Sequence, residues 1–191
     1  VYLMKRDETE IGDRLMAQKK YAEAIFQYTG VIKYDPNFPE AYFNRGVANY
    51  YLKEYDASIA DFTKFISFAD KNSYVALRLP HAYTNRCMNY YFKKDFVSAE
   101  NDCTAALNIK KDFETAYNFR AYIRLAQDKI AGAIDDFTKS IELNPSAVTY
   151  HHRGVAYQKI GKEDLAKLDF EKAESLEPGV GQRLNAKNES K

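Results

Sequence analysis

The chain repeats one pattern five times, and that repetition limits its fold more than any single motif does. When the segments beginning near Glu40, Pro80, Glu114 and Ala147 are aligned, Ala41-Tyr42, Ala82-Tyr83, Ala116-Tyr117 and Thr149-Tyr150 fall in the same columns. Four residues after each tyrosine stands a small side chain: Gly46, Cys87, Ala121 or Gly154. A second small residue follows as Ser58, Ala99, Ala133 or Ala166, and four residues later comes a core position filled by Phe62, Cys103, Phe137 or Phe170. Pro145 and Pro178 close the last two copies, and a looser first copy has Gly12, Ala24, Tyr28 and Asp35-Pro36 at the matching places. Intervals between the first small residues are 34, 41, 34 and 33 residues. Each copy carries two amphipathic stretches of about a dozen residues with apolar positions at helical spacing. Gly46 and Gly154 would cost an isolated helix roughly 1 kcal/mol each; they suit places where two helices approach closely, opposite Ser58 and Ala166. One such hairpin cannot bury its own apolar face, so neighbours must stack. The expected fold is all-α.

A period near 34 with small residues, aromatics and a closing proline in these places resembles the tetratricopeptide repeat. The resemblance covers residues 5–180 and divides them into repeats 5–38, 39–72, 80–113, 114–146 and 147–180, with an insert at 73–79. It implies a right-handed α-solenoid in which the first helix of each repeat lines a concave groove where protein or peptide ligands bind. Residues 1–4 read as the remnant of a preceding helix, and 181–191 as a polar, frayed tail.

Composition narrows the function classes. The 191 residues are 46% hydrophobic and 29% charged, the balance of a folded chain. A formal net charge of +1 argues against non-specific nucleic-acid binding, which needs many phosphate-neutralising cations. No apolar run approaches the length that spans a bilayer, so no membrane insertion is expected. Because the sequence opens on Val1, the natural start and any targeting segment are expected upstream. The cytoplasm is the expected compartment unless such a segment redirects the chain. Cys87 and Cys103 occupy facing core places in one hairpin where they could approach each other; buried thiols are the default expectation, with their oxidation state left open.

A second regularity concerns charge. Arg45, Arg86, Arg120 and Arg153 share one column, and Asp61, Asp102, Asp136 and Asp169 each follow at a separation of 16. The first copy has Ile11 and Gln27 there, so both partners are lost together. In an antiparallel hairpin these columns face each other, and an Arg–Asp salt bridge is expected in four repeats.

Helical spacing picks out the side chains of each first helix that project away from the second. They are Phe43, Val47, Tyr50 and Tyr51 in the second repeat, and Thr84, Met88, Tyr91 and Phe92 in the third. The fourth supplies Asn118, Tyr122, Leu125 and Ala126; the fifth His151, Val155, Gln158 and Lys159; the first Thr9, Asp13, Met16 and Ala17. The middle of the groove is thus expected to be aromatic and its ends polar, with Asn44 and Asn85 adding amides that hold a peptide backbone. Tyrosine is enriched at binding hot spots. Family members that capture acidic chaperone tails use a Lys, Asn and Arg clamp on three successive first helices. Here Asn44 fits the asparagine, but Thr9, Asp13, His81 and Asn85 leave the cations absent, so a heat-shock chaperone tail is not the expected partner.

The seven-residue insert 73–79, which contains Tyr74-Val75-Ala76-Leu77-Arg78-Leu79, is close to two helical turns and can lengthen a helix without changing its phase. Its apolar residues are expected to pack on the adjacent helix, a partner-binding lip being the alternative. Leu165 and Leu168 would face a sixth unit, which raises homodimerisation or a further domain as alternatives to a scaffold. His81, His151 and His152 lack metal-ligand spacing, and no phosphate loop or nucleophile elbow appears. Neither an enzyme nor a cofactor is expected.

Overall fold

A computed structural model describes the backbone of residues 2–189, with the side chains of residues 1–7, 71 and 187–191 outside the described set. Two compact units make up the chain, Val1–Ile109 and Lys110–Lys191. The first contains α1 (Tyr2–Ala17), α2 (Tyr21–Tyr34), α3 (Pro39–Tyr51), α4 (Tyr55–Ile66), a 3₁₀ turn (Ala69–Lys71), α5 (Ser73–Phe92) and α6 (Phe96–Ile109). The second contains α7 (Glu114–Ala126), α8 (Ile130–Leu143), α9 (Ala147–Lys159), α10 (Glu163–Leu176) and α11 (Val180–Glu189). No strand occurs among the described residues. Because α1 begins at Tyr2, residues 2–4 run into the first repeat's helix; Val1 lies outside the described residues.

Each hairpin closes on one kind of turn. Lys53 N–H donates to Tyr50 C=O and Glu54 N–H to Asn49 C=O, at 2.9 Å each. The same pair of bonds follows α1, α5, α7 and α9. This pattern satisfies carbonyls that a helix end leaves open, and it needs one residue in the left-handed region.

Within each hairpin the core is a large side chain on a small one. A Cβ on Gly12 would lie 2.5 Å from the fully buried Tyr28 ring, and one on Gly154 would lie 2.7 Å from Phe170. At Gly46 the corresponding distance to Phe62 is 3.2 Å. Ala121 packs with Phe137 in the fourth repeat. The third repeat solves the same packing problem differently: Cys87 and Cys103, both fully buried, form a disulfide with Cα atoms 5.6 Å apart. The buried-thiol expectation is therefore corrected. The two columns that elsewhere bring a ring onto a small residue here bring two sulfurs within bonding distance.

The insert lengthens α5 at its N-terminus. Asn72 caps it, its side-chain oxygen accepting from Tyr74 N–H at 3.0 Å and Val75 N–H at 3.3 Å. The helix continues through Pro80, which lacks the N–H that would bond back to the preceding turn. Val75 is fully buried and Tyr74 and Leu79 pack on the Phe62–Phe65 core, whereas Leu77 is 80% exposed.

The C-terminal segment also carries a helix. Within the segment expected as a polar tail, residues 180–189 form α11, and residues 190 and 191 lie outside the described residues. Val180 and Leu184, one helical turn apart, pack on Ala147, Val148 and Ala173. Glu174 accepts from the N–H groups of Gly179 (2.7 Å) and Gly181 (3.3 Å), satisfying donors at the start of the helix.

Candidate functional site

Paired charges hold the hairpins in register. Arg45 donates from Nε to Asp61 Oδ2 at 3.0 Å and from Nη2 to Oδ1 at 2.7 Å. Arg86–Asp102, Arg120–Asp136 and Arg153–Asp169 repeat this fork at 2.7–2.9 Å. All four aspartates are buried. Burial pushes the Asp61 carboxyl up, against the downward pull of Arg45 and Asn49. At Arg153 the hydrogen bond to Asp169 raises the guanidinium pKa. A third set of partners was not anticipated from the sequence: the free Nη1 of Arg45, Arg86 and Arg153 reaches Thr29, Thr63 and Thr138 on the second helix of the preceding repeat, at 2.8–3.1 Å. The signal was present, since threonine recurs at 29, 63, 104 and 138, in step with the repeat.

The residues expected to line a groove have different fates. Phe43 is 5% exposed and packs edge-on against Phe62 and Phe65, so it is floor rather than a projecting contact. His151 is 8% exposed, beside Phe170 and the start of α11, and burial lowers its pKa. Its place as an open groove residue is corrected, because α11 lies there. Val47 packs partly on the Phe62–Phe65 core. Asn44 Nδ2 donates to Asp13 Oδ1 at 2.9 Å, and Asn85 C=O accepts from Asn89 Nδ2 at 2.8 Å. Met88 is partly buried, as is Asn118, whose Oδ1 has no hydrogen-bond partner among the described residues. Tyr50 and Tyr91 are half-buried, and burial raises both phenol pKa values. Tyr51 and Phe92 remain exposed, at 53% and 40%. Tyr122 sits edge-on to Phe137 and His152.

In the first unit α1, α3 and α5 enclose a concavity of about 250 Å³. Asp13, Met16, Asn44 and Val47 line it above Tyr28 and Phe43. Tyr28 donates to Asp13 Oδ1 at 2.6 Å, and its phenol pKa is raised by burial first and by Asp13 second. The insert contributes Arg78, whose guanidinium lies 4.2 Å from the Phe43 ring centroid and donates to the Tyr74 hydroxyl. The site thus offers one cation, one carboxylate, an amide and an apolar floor. Among the described residues no group of three or more His, Cys, Asp or Glu is placed to hold a metal, and no helix is long and apolar enough to cross a membrane.

His152 stands in the column of Phe119 and behaves as a ring. It is edge-on to Tyr122 at 4.8 Å and parallel to Phe137 at 6.3 Å. Burial, with His151 second, lowers its pKa from 6.5 to about 4. The unfolded chain therefore takes the proton first: the contribution to stability is complete above pH 6.5 and is lost as pH falls toward 4. Urea unfolding at pH 5 should show roughly 2 kcal/mol less stability from this group than at pH 7, at about 1.4 kcal/mol per pH unit. His152→Phe should remove that part of the acid sensitivity; an unchanged pH dependence would place the proton elsewhere.

Comparison with known proteins places this geometry. A family model described as TPR repeat matches residues 12–53, and one described as Tetratricopeptide repeat matches 39–72, 114–146 and 147–179. The matched spans leave out the repeat that carries the insert and the disulfide. The chain is 28% identical over 178 residues to the DnaJ homolog subfamily C member 7 homolog of Dictyostelium discoideum, covering 88% of this chain and 33% of that protein. It is 30% identical over 139 residues to RNA polymerase II-associated protein 3 of Rattus norvegicus, covering 71% and 20%. The chain therefore spans a fifth to a third of the length of these curated relatives. Among solved structures it is similar to MamA (TM-score 0.80, 21% identity, 95% of this chain and 96% of that one). It is also similar to YrrB, described as a TPR protein with an unusual peptide-binding site (TM-score 0.74, 15% identity, 95% and 90%). At these identities the structures speak for the fold.

Proposed function

Because this chain belongs to the tetratricopeptide repeat family, we propose that it is a non-catalytic protein–protein interaction scaffold that holds a peptide segment against α1, α3 and α5. The observation that carries this reading is the concavity of about 250 Å³ floored by Phe43 and Tyr28. Its polar groups are few and fixed, as in sites that orient a ligand over an apolar base. Asp13 is held by Tyr28 and Asn44, and Arg78 is held over Phe43, so little side-chain entropy is lost on binding. The neighbour described as having a peptide-binding site supports the same class of ligand.

Affinity capture followed by mass spectrometry, comparing wild type with Arg78→Glu, tests the reading. Arg78 stands over Phe43 and donates to Tyr74, so the melting temperature of the variant is measured alongside, and with the fold retained the variant is expected to lose a discrete set of captured proteins. An unchanged set would move the binding site away from this face. Self-association is a competing proposal, favoured by Leu165 and Leu168, which are 41% and 61% exposed on α10. A mass that rises with protein concentration and falls in Leu168→Glu would support it.

A further inference from the structure

The third hairpin is closed by a bond where the others are closed by a ring. Tyr28, Phe62, Phe137 and Phe170 fill one column, facing Gly12, Gly46, Ala121 and Gly154 in the other. In the third repeat these columns hold Cys103 and Cys87, both fully buried. As two thiols they would set a small side chain where every other repeat places an aromatic one. A core penalises the void that such a change leaves, in proportion to its volume. As a disulfide they replace the missing packing with a covalent constraint on α5 and α6. The oxidised pair is therefore the form that completes this repeat.

Register for the bond is set by charge. Arg86 and Asp102 each stand one residue before a cysteine, and their fork closes at 2.7 and 2.8 Å. The remaining Nη1 of Arg86 is held by Thr63 of α4 at 2.8 Å. Ion pair and disulfide share a separation of 16 residues, so the fork that joins the helices also brings the two sulfurs face to face. These are the two cysteines of the 191 residues, which leaves one pairing and no competitor among them.

Burial then decides when the bond can form. Thiol–disulfide exchange runs through a mixed disulfide, in which an outside sulfur is bonded to one member of the pair. The closed hairpin leaves no exposed surface at Cys87 or Cys103 for that intermediate. Exchange therefore belongs to the open hairpin, and closure shields the product from reductants.

We propose that this chain is the substrate of a thiol oxidant, which forms the Cys87–Cys103 bond before α5 and α6 close, and that it works in a compartment that keeps disulfides oxidised. In that step an S–S bond forms between the two sulfurs, and their protons and the electron pair pass to the oxidant. The oxidant is itself a disulfide, whose S–S bond breaks to two thiols. Disulfides persist in secreted, lumenal and periplasmic proteins and are rare where glutathione and thioredoxin keep thiols reduced. The chain is on this ground lumenal or exported rather than cytoplasmic.

Two measurements test the proposal. Source cells are fractionated after acid quenching and alkylation of free thiols, and the protein is digested with trypsin without reduction. Peptides 87–93 and 95–110 should be recovered joined to each other, from the lumenal or exported fraction. The same peptides recovered alkylated and separate, or recovery of the protein with the cytosolic fraction in either form, overturns the compartment. The purified oxidised protein is then treated with dithiothreitol in buffer and in denaturing urea. Reduction in buffer should be slower by roughly tenfold or more, because it waits on opening of the hairpin. Equal rates overturn the shielding, and with it the order of oxidation and closure.

Discussion

Asp136→Ala is expected to destabilise the second unit by about 3–5 kcal/mol, the usual consequence of removing one side of a buried ion pair. Asp136, like Asp61, accepts three side-chain hydrogen bonds, and its donors belong to two arginines. Its Oδ1 accepts from Arg120 Nη2 at 2.8 Å, and its Oδ2 accepts from Arg120 Nε and Arg124 Nη1, each at 2.9 Å. The carboxylate is 4% exposed, against 14% and 23% for the two arginines. Alanine would leave two poorly solvated guanidiniums pointing at the space between them. Replacing the whole group with apolar residues of similar volume should cost much less, since desolvation offsets much of the attraction in such a pair. Urea unfolding followed by circular dichroism decides the matter. A loss below about 1 kcal/mol would mean that water reaches the carboxylate and the pair behaves as a surface one.

The second large effect is expected at the disulfide. Cys87→Ala/Cys103→Ala opens a cross-link between residues 16 apart, for which chain-entropy arguments give about 3 kcal/mol. The two alanines also leave unfilled the space that holds a ring in the other hairpins. Cys87→Ala/Cys103→Phe should recover part of the loss, because it installs the Ala121–Phe137 arrangement of the fourth repeat. Reductant should lower the midpoint of the wild type and leave both variants unmoved. If it leaves the wild type unmoved too, the cross-link contributes nothing to stability.

Both predictions begin with columns visible in the sequence. The repeat period counts positions, and helical phase converts positions into faces. Arg45 and Asp61, or Cys87 and Cys103, could therefore be matched across a hairpin before any coordinates were known, whereas Gly154, expected opposite Ala166, meets the ring of Phe170. The continuation of α5 through the insert was legible for the same reason, since seven residues preserve phase.

Phase does not say what lies opposite a face. Phe43 and Tyr50 share a projected direction, yet one is buried against Phe65 and the other lies against Phe92. His151 depends on α11, whose apolar contacts rest on Val180 and Leu184 in an otherwise polar segment. The cysteines shared a column with Ala121 and Phe137, which identified the place but not the bond. Side chains within one hairpin were thus determined by the repeat alone, because their partners sit at constant separation. Contacts with the next repeat, the concavity around Arg78 and the approach of Tyr50 to Phe92 were decided only by tertiary structure. They depend on how neighbouring helices pack, and the spacing along one chain segment does not encode that distance.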